Sequence, residues 1–242
     1  MGASTVRFER RGSVGLIVMD DGKVNAEGVR FVEDFSRALD EAEGESVGAV
    51  VLTGRPGVLS AGLDLKALPA LSDADRTTFA TVFCAAMVRA FAFPKPTVCL
   101  ATGHALAGGA VLLQCADVRL ASRGPFKIGL VEIAVGIAFP APILHICRAR
   151  LPAGAHGPAI LHGRTFDPEG ARAIGLVDEV VDPAVALDRA LAIAGELAAL
   201  PSEAYARTKE DLRGRDARRS MEDLDAERFA ADIVVAAERR GR

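Results

Sequence analysis

One pattern constrains this chain more than any other: a short apolar strand, a glycine-bearing loop and an apolar helix, recurring in that order. GAVVLTG (48–54) reads as a short buried strand. The Gly/Pro-punctuated loop RPGVLSAGLDL follows, then an apolar helix over about 73–92 that PKP (94–96) stops. TVCLATG (97–103) is strand-like again, AGGAVLLQCA is a helix, and DVRLAS (117–122) returns to strand. Strand–helix alternation of this kind, followed by a helical tail, predicts an α/β fold with a C-terminal helical region.

The flanks fit the same plan. VRFER (6–10) and VGLIVMD (14–20) predict a hairpin or two successive strands. EGVRFVEDFSRALDEAEG (27–44) puts Val29, Val32, Phe35, Ala38 and Leu39 on one helical face, and Gly44 ends it. FKIG (126–129) is a short strand, and helical signals run from about Pro140 to Leu161. A helix near Pro168 to Ile174 precedes the strand VDEVV (177–181), and the chain from Pro183 onward is helical. The expected division is a core over 1–182 and a helical region over 183–242.

Several function classes are disfavoured. The formal net charge of -3 gives no global case for nucleic acid. The basic stretch RGRDARRS (213–220) reads first as a solvated helix face, with a polyanion site as the alternative. Cys84, Cys99, Cys115 and Cys147 lie in apolar surroundings without a CxxC pair, as reduced core thiols of a cytoplasmic protein do. His104, His145, His156 and His162 show no metal-binding spacing, so no metal site is expected. Charges interrupt every long apolar run, and no stretch resembles a signal peptide, so no membrane span is expected. Neither GxGxxG after the first strand nor GxxxxGK[ST] is present.

Three stretches hold candidate chemistry. In SAGLDLKAL (60–68), a tight turn at Ala61-Gly62 can leave amide hydrogens pointing into a cleft, with Asp64 capping the next turn; an ordinary glycine turn is the alternative. Ser60 sits in GxxSxG, not in the GxSxG of a nucleophile elbow. In HALAGGAVLLQCADVRLAS (104–122), Gly108 and Gly109 open an apolar helix and can present amides to an anion, or serve only close packing. In KIGLVEIAVGIAF, Glu132 is flanked by Val131, Ile133, Ala134 and Val135. Apolar neighbours disfavour the carboxylate anion and raise its pKa toward the range useful for proton transfer, unless it turns outward or pairs with an arginine.

Taken together, in this order, the three stretches resemble the crotonase superfamily of enoyl-CoA hydratases and isomerases. The resemblance extends from the N-terminal strands through KVNAEG (23–28) to AIGLVDEVV (173–181), and fits the later helices more loosely. It implies a right-handed spiral of ββα turns with a helical C-terminal part, assembled as a homotrimer or a dimer of trimers. It implies an acyl-CoA thioester as substrate, with coenzyme A arriving as part of that substrate and no separate cofactor. The backbone amides of Ala61 and Gly108 would form the oxyanion hole. Ala61, Gly62, Leu63, Asp64 and Leu65, with Gly108 and Val131, would contact the substrate or its coenzyme A.

The resemblance also bears on the reaction. Family hydratases carry a glutamate three residues after the oxyanion glycine, where this chain has Val111, and a second that matches Glu132. Water addition needs both a base and an acid. One carboxylate suits moving a double bond, and RPGVLSAGLDL and IGLVEIAVGIAFP look most like the Δ3,Δ2-enoyl-CoA isomerases. A hydratase would need a replacement carboxylate, for which Asp64 and Asp117 match no known position. A non-catalytic acyl-CoA-binding protein is the alternative of another class.

Overall fold

The computed structural model describes residues 4–240. Strands β1 (Val6–Arg11) and β2 (Val14–Met19) form the predicted hairpin, and α1 (Val29–Ala42) follows. Then three similar turns of chain occur. The first is β3 (Ala49–Thr53), β4 (Gly57–Ser60) and α2 (Asp73–Phe91), which Ser72 caps by accepting from the Asp75 amide. The second is β5 (Thr97–Ala101), β6 (Gly103–Leu106) and α3 (Gly108–Cys115). The third is β7 (Val118–Ser122), β8 (Ile128–Gly129), the one-turn helix α4 (Glu132–Val135) and α5 (Ala141–Arg150). Helix α6 (Pro168–Ala173) and strand β9 (Glu179–Val181) close the core. Helices α7 (Ala186–Ala198), α8 (Ser202–Lys209), α9 (Arg215–Arg219) and α10 (Ala226–Arg240) complete the chain.

Each turn lays one strand in each of two sheets. The larger sheet runs β1-β2-β3-β5-β7-β9, parallel except for the first hairpin; the smaller runs β4-β6-β8 and is wholly parallel. The repeated ββα turn is the predicted spiral. The inner strands of the larger sheet are covered on both faces, so β2, β3 and β5 are apolar at nearly every position, while the edge strand β1 carries Arg7, Glu9, Arg10 and Arg11. Leu16, Val18, Val51, Val98, Leu100 and Leu120 pack with Ala186, Ala190 and Ala194 of α7. Their neighbours in sequence, Ile17, Met19, Val50 and Cys99, face the opposite core with α1, α2 and α3.

That arrangement fixes the site. The smaller sheet ends at Ser60, Leu106 and Gly129, and the chain leaves all three ends into the three stretches singled out from the sequence. The loop reading of RPGVLSAGLDL holds only in part, since Gly57–Ser60 is β4. The segment after 183 joins the same cores: Phe229, Ala230, Ile233 and Ala236 of α10 belong to the cluster that holds α2 and α3. No described helix is long and apolar enough to cross a membrane. All four cysteines are free and buried.

Candidate active site

The chain leaving β4 runs beside residues 24–27. The Glu27 amide donates to the Gly62 carbonyl (2.9 Å), and the Asp64 amide donates to the Glu27 carbonyl (3.1 Å). The Ala61 amide is also used, donating to the Val24 carbonyl at 3.0 Å. This corrects the expectation that the Ala61 amide lines an oxyanion hole: its hydrogen is already committed to the backbone. Gly62 adopts a left-handed conformation (φ +85), which turns the chain. The Leu63 amide, just past that turn, has no hydrogen-bond partner among the described residues.

The chain leaving β6 reaches the same place. Ala107 is held at φ +48 and ψ -122, and α3 starts at Gly108. The Gly108 amide has no partner among the described residues. As the first amide of a buried helix it carries partial positive charge and suits an anion. A Cβ built on Gly62 would lie 3.2 Å from the Gly108 nitrogen. The Leu63 and Gly108 residues therefore sit side by side, and both line one cavity of about 400 Å³.

Glu132 lines that cavity from the third stretch, as the first residue of α4. It is 7% exposed, and its Oε2 has no hydrogen-bond partner among the described residues. Burial raises its pKa from the usual carboxylate range to about 8. Val111 lines the same wall and is buried, so the α3 position offers hydrocarbon only. Among the described residues, Glu132 neither turns outward nor pairs with an arginine.

Of the other expected contacts, Ala61, Leu63, Leu65, Gly108 and Val131 line the cavity. Gly62 and Asp64 do not: the Asp64 carboxylate accepts from the amides of Lys66 and Ala67, each at 3.0 Å, as the predicted turn cap. The far wall comes from the same chain's C-terminal helix. Phe229 and Ala236 of α10 line the cavity, with Arg239 and Arg240 at its end. The stretch RGRDARRS is the expected solvated helix face at Arg215, Arg218 and Arg219, and is buried only at Arg213 among its arginines. Arg213 is buried against Asp117 and stacks on Phe91 (4.4 Å to the ring centroid), and Arg218 is bonded to Glu210. Asp117 itself is tied to Lys209 and to the Thr97 amide.

One acidic residue escaped the sequence reading. Glu27 is fully buried, and its Oε1 lies 2.9 Å from the Ser60 hydroxyl. A Cβ on Gly108 would fall 1.7 Å from its Oε2, so the Glu27 carboxyl fills the space that a side chain at 108 would take. Burial raises its pKa to about 8, opposed by the Ser60 hydrogen bond. In KVNAEG it stands between Ala26 and Gly28, and nothing in that spacing announces a buried acid. No group of three or more His, Cys, Asp or Glu side chains able to hold a metal ion occurs among the described residues.

Comparison with known proteins gives a consistent result. The family model described as enoyl-CoA hydratase/isomerase matches residues 9–239. A probable enoyl-CoA hydratase of Mycobacterium avium is 33% identical over 201 residues, 83% of this chain and 78% of that protein. An enoyl-CoA isomerase structure from Mycobacterium tuberculosis superposes with a TM-score of 0.83 at 35% identity, covering 97% of this chain and 98% of the other. The human mitochondrial Δ3-Δ2-enoyl-CoA isomerase structure gives a TM-score of 0.91 at 26% identity, covering 98% and 96%.

Proposed function

The chain belongs to the enoyl-CoA hydratase/isomerase family of the crotonase superfamily, and on that premise we propose that it moves the double bond of a 3-enoyl-CoA to the 2 position. The thioester oxygen accepts from the amides of Leu63 and Gly108. Glu132, as the anion, removes a proton from C2. The C2–H electrons form the dienolate, whose charge rests on the thioester oxygen. The protonated Glu132 then gives its proton to C4, the C3–C4 pair shifts to C2–C3, and the conjugated thioester is released with Glu132 again ionised. A positioned general base contributes about 10²–10⁴ in rate, and one oxyanion-hole donor about 10²–10³.

The observation that carries this reading is the composition of the cavity wall: Glu132 is its only carboxylate among the described residues, and Val111 stands where family hydratases have a second. Relatives bear both names, hydratase and isomerase, so the distinction rests on this wall and not on likeness. Glu27 does not rescue a hydratase mechanism, since its carboxyl is sealed from the cavity behind Gly108 and Ser60. A binding protein without turnover would have no use for an unpartnered carboxyl beside two free amides. The resemblance supports a homotrimer or dimer of trimers, and the free cysteines and bacterial relatives support a cytoplasmic setting.

Glu132→Gln tests the assignment. It keeps the volume and cannot take the C2 proton, while the two backbone amides survive. Turnover of 3-enoyl-CoA should fall by roughly 10²–10⁴ with acyl-CoA affinity near that of the parent. The parent's own activity should drop as pH falls through the raised Glu132 pKa of about 8, because only the anion is a base. A Gln variant that keeps most of its isomerase activity would remove Glu132 from the mechanism.

A further inference from the structure

Glu27 touches both segments that supply the free amides. Its backbone pairs with the loop on either side of Leu63, through Gly62 and Asp64. Its side chain lies against Gly108 on the opposite segment, in the space where a Cβ would sit. Between the two is Ser60, wholly buried, whose Oγ has three polar neighbours: the Asn25 carbonyl at 2.8 Å, the Gly62 amide at 3.0 Å and Glu27 Oε1 at 2.9 Å.

Proton counting at Ser60 decides the state of Glu27. The hydroxyl has one hydrogen and two lone pairs. A carbonyl can only accept, so the hydrogen goes to Asn25, and the Gly62 N–H occupies one lone pair. The remaining lone pair is satisfied only by a donor, and Glu27 Oε1 is a donor only when it carries a proton. An ionised Glu27 would compete with the Asn25 carbonyl for the single hydroxyl hydrogen, leaving one buried acceptor unmade. Its charge would also sit against the residue whose amide must hold a developing oxyanion, with little water between to screen it.

We propose that Glu27 is a positioning residue for the reaction: as a neutral carboxylic acid it ties the Leu63 segment to the Gly108 segment, and as an anion it disables the oxyanion hole. The proposal rests on the two-amide hole of the function proposed above. The titratable groups around it agree. Glu132 on α4 is the nearby carboxyl, and its charge raises the Glu27 pKa further. Cys115 on α3 has its own pKa pushed up to about 12 and stays neutral. Asp64 and Asp21, on the flanking turns, spend their carboxylates on nearby backbone amides. Burial raises both carboxyls to about 8, so the acid limb set by Glu132 and the alkaline limb set by Glu27 overlap and leave a narrow optimum near that pH.

Two readouts test this on the intact protein. The first is the pH profile of 3-enoyl-CoA isomerisation for the parent and for Glu27→Gln, whose amide donates to Ser60 at every pH. The parent should lose turnover on the alkaline side; the variant, slower by a few-fold near neutrality, should lose that alkaline limb. Superimposable profile shapes would overturn the proposal. The second does not need turnover: the red shift in absorbance of bound 2,4-hexadienoyl-CoA, which reports polarisation of the thioester carbonyl, read in the parent and in Glu27→Gln because Glu132 ionises over the same range. In the parent it should fade as pH rises through 8 toward 10, and fade more than in the variant. A shift constant across that range, or fading equally in both, would overturn the proposal even if isomerase activity is confirmed. A shift that fades more in the parent, in a protein that does not isomerise, would uphold Glu27 and reject the isomerase reading instead.

Discussion

Ala107 carries backbone strain at the mouth of α3. A side chain at φ +48 and ψ -122 is outside the regions L-residues favour, at a cost of about 1–3 kcal/mol. The turn is kept because it aims the Gly108 amide into the cavity. Ala107→Gly should relieve the strain and raise the thermal midpoint, by roughly 2–4 °C for each kcal/mol recovered in a chain of this size. A lower midpoint in a melting experiment would mean that the turn is unstrained. Single-residue chemistry was the least legible scale in the sequence. Glu132 could be read, because four apolar neighbours predict a perturbed carboxyl. Leu63 and Ala61 could not be told apart, since which amide is free depends on the partner strand at 24–27 and on the Gly62 turn. Glu27 was invisible because its burial comes from Ser60 and Gly108, which are distant in sequence.

Among the elements, α10 has the clearest separate task. It crosses α2, where the Phe229 ring lies 6.2 Å from that of Phe83, and it is pinned by Asp232 accepting from the Ala138 amide at 3.1 Å. It supplies Phe229 and Ala236 to the cavity wall from the same chain. Phe229→Ala should cost about 3–5 kcal/mol in denaturant unfolding, the usual range for a buried phenylalanine, and should shift preference toward longer acyl chains. Unaltered stability and chain-length profile would show that α10 is no wall. Long elements were legible: the helix predicted over 73–92 is α2, and the strands at 48–54 and 117–122 are β3 and β7. β4 was hidden because four residues ending in a glycine turn look like loop. α4 was hidden because one helical turn leaves no periodic trace.

At the scale of the molecule, the spiral brings three strand ends of the small sheet to one point, and each contributes one component: the Leu63 amide, the Gly108 amide and the Glu132 carboxyl. That convergence was legible through resemblance of three stretches in order, not through any one of them. The proposed reaction rests on what converges: two hydrogen-bond donors and, among the described residues, a single cavity carboxyl. The direct test is to give one preparation 3-enoyl-CoA and 2-enoyl-CoA in parallel, following formation of the conjugated thioester in the first and its loss to water in the second. Isomerisation should exceed hydration in kcat/KM by orders of magnitude. Hydration equal to or faster than isomerisation would contradict the single-carboxyl site.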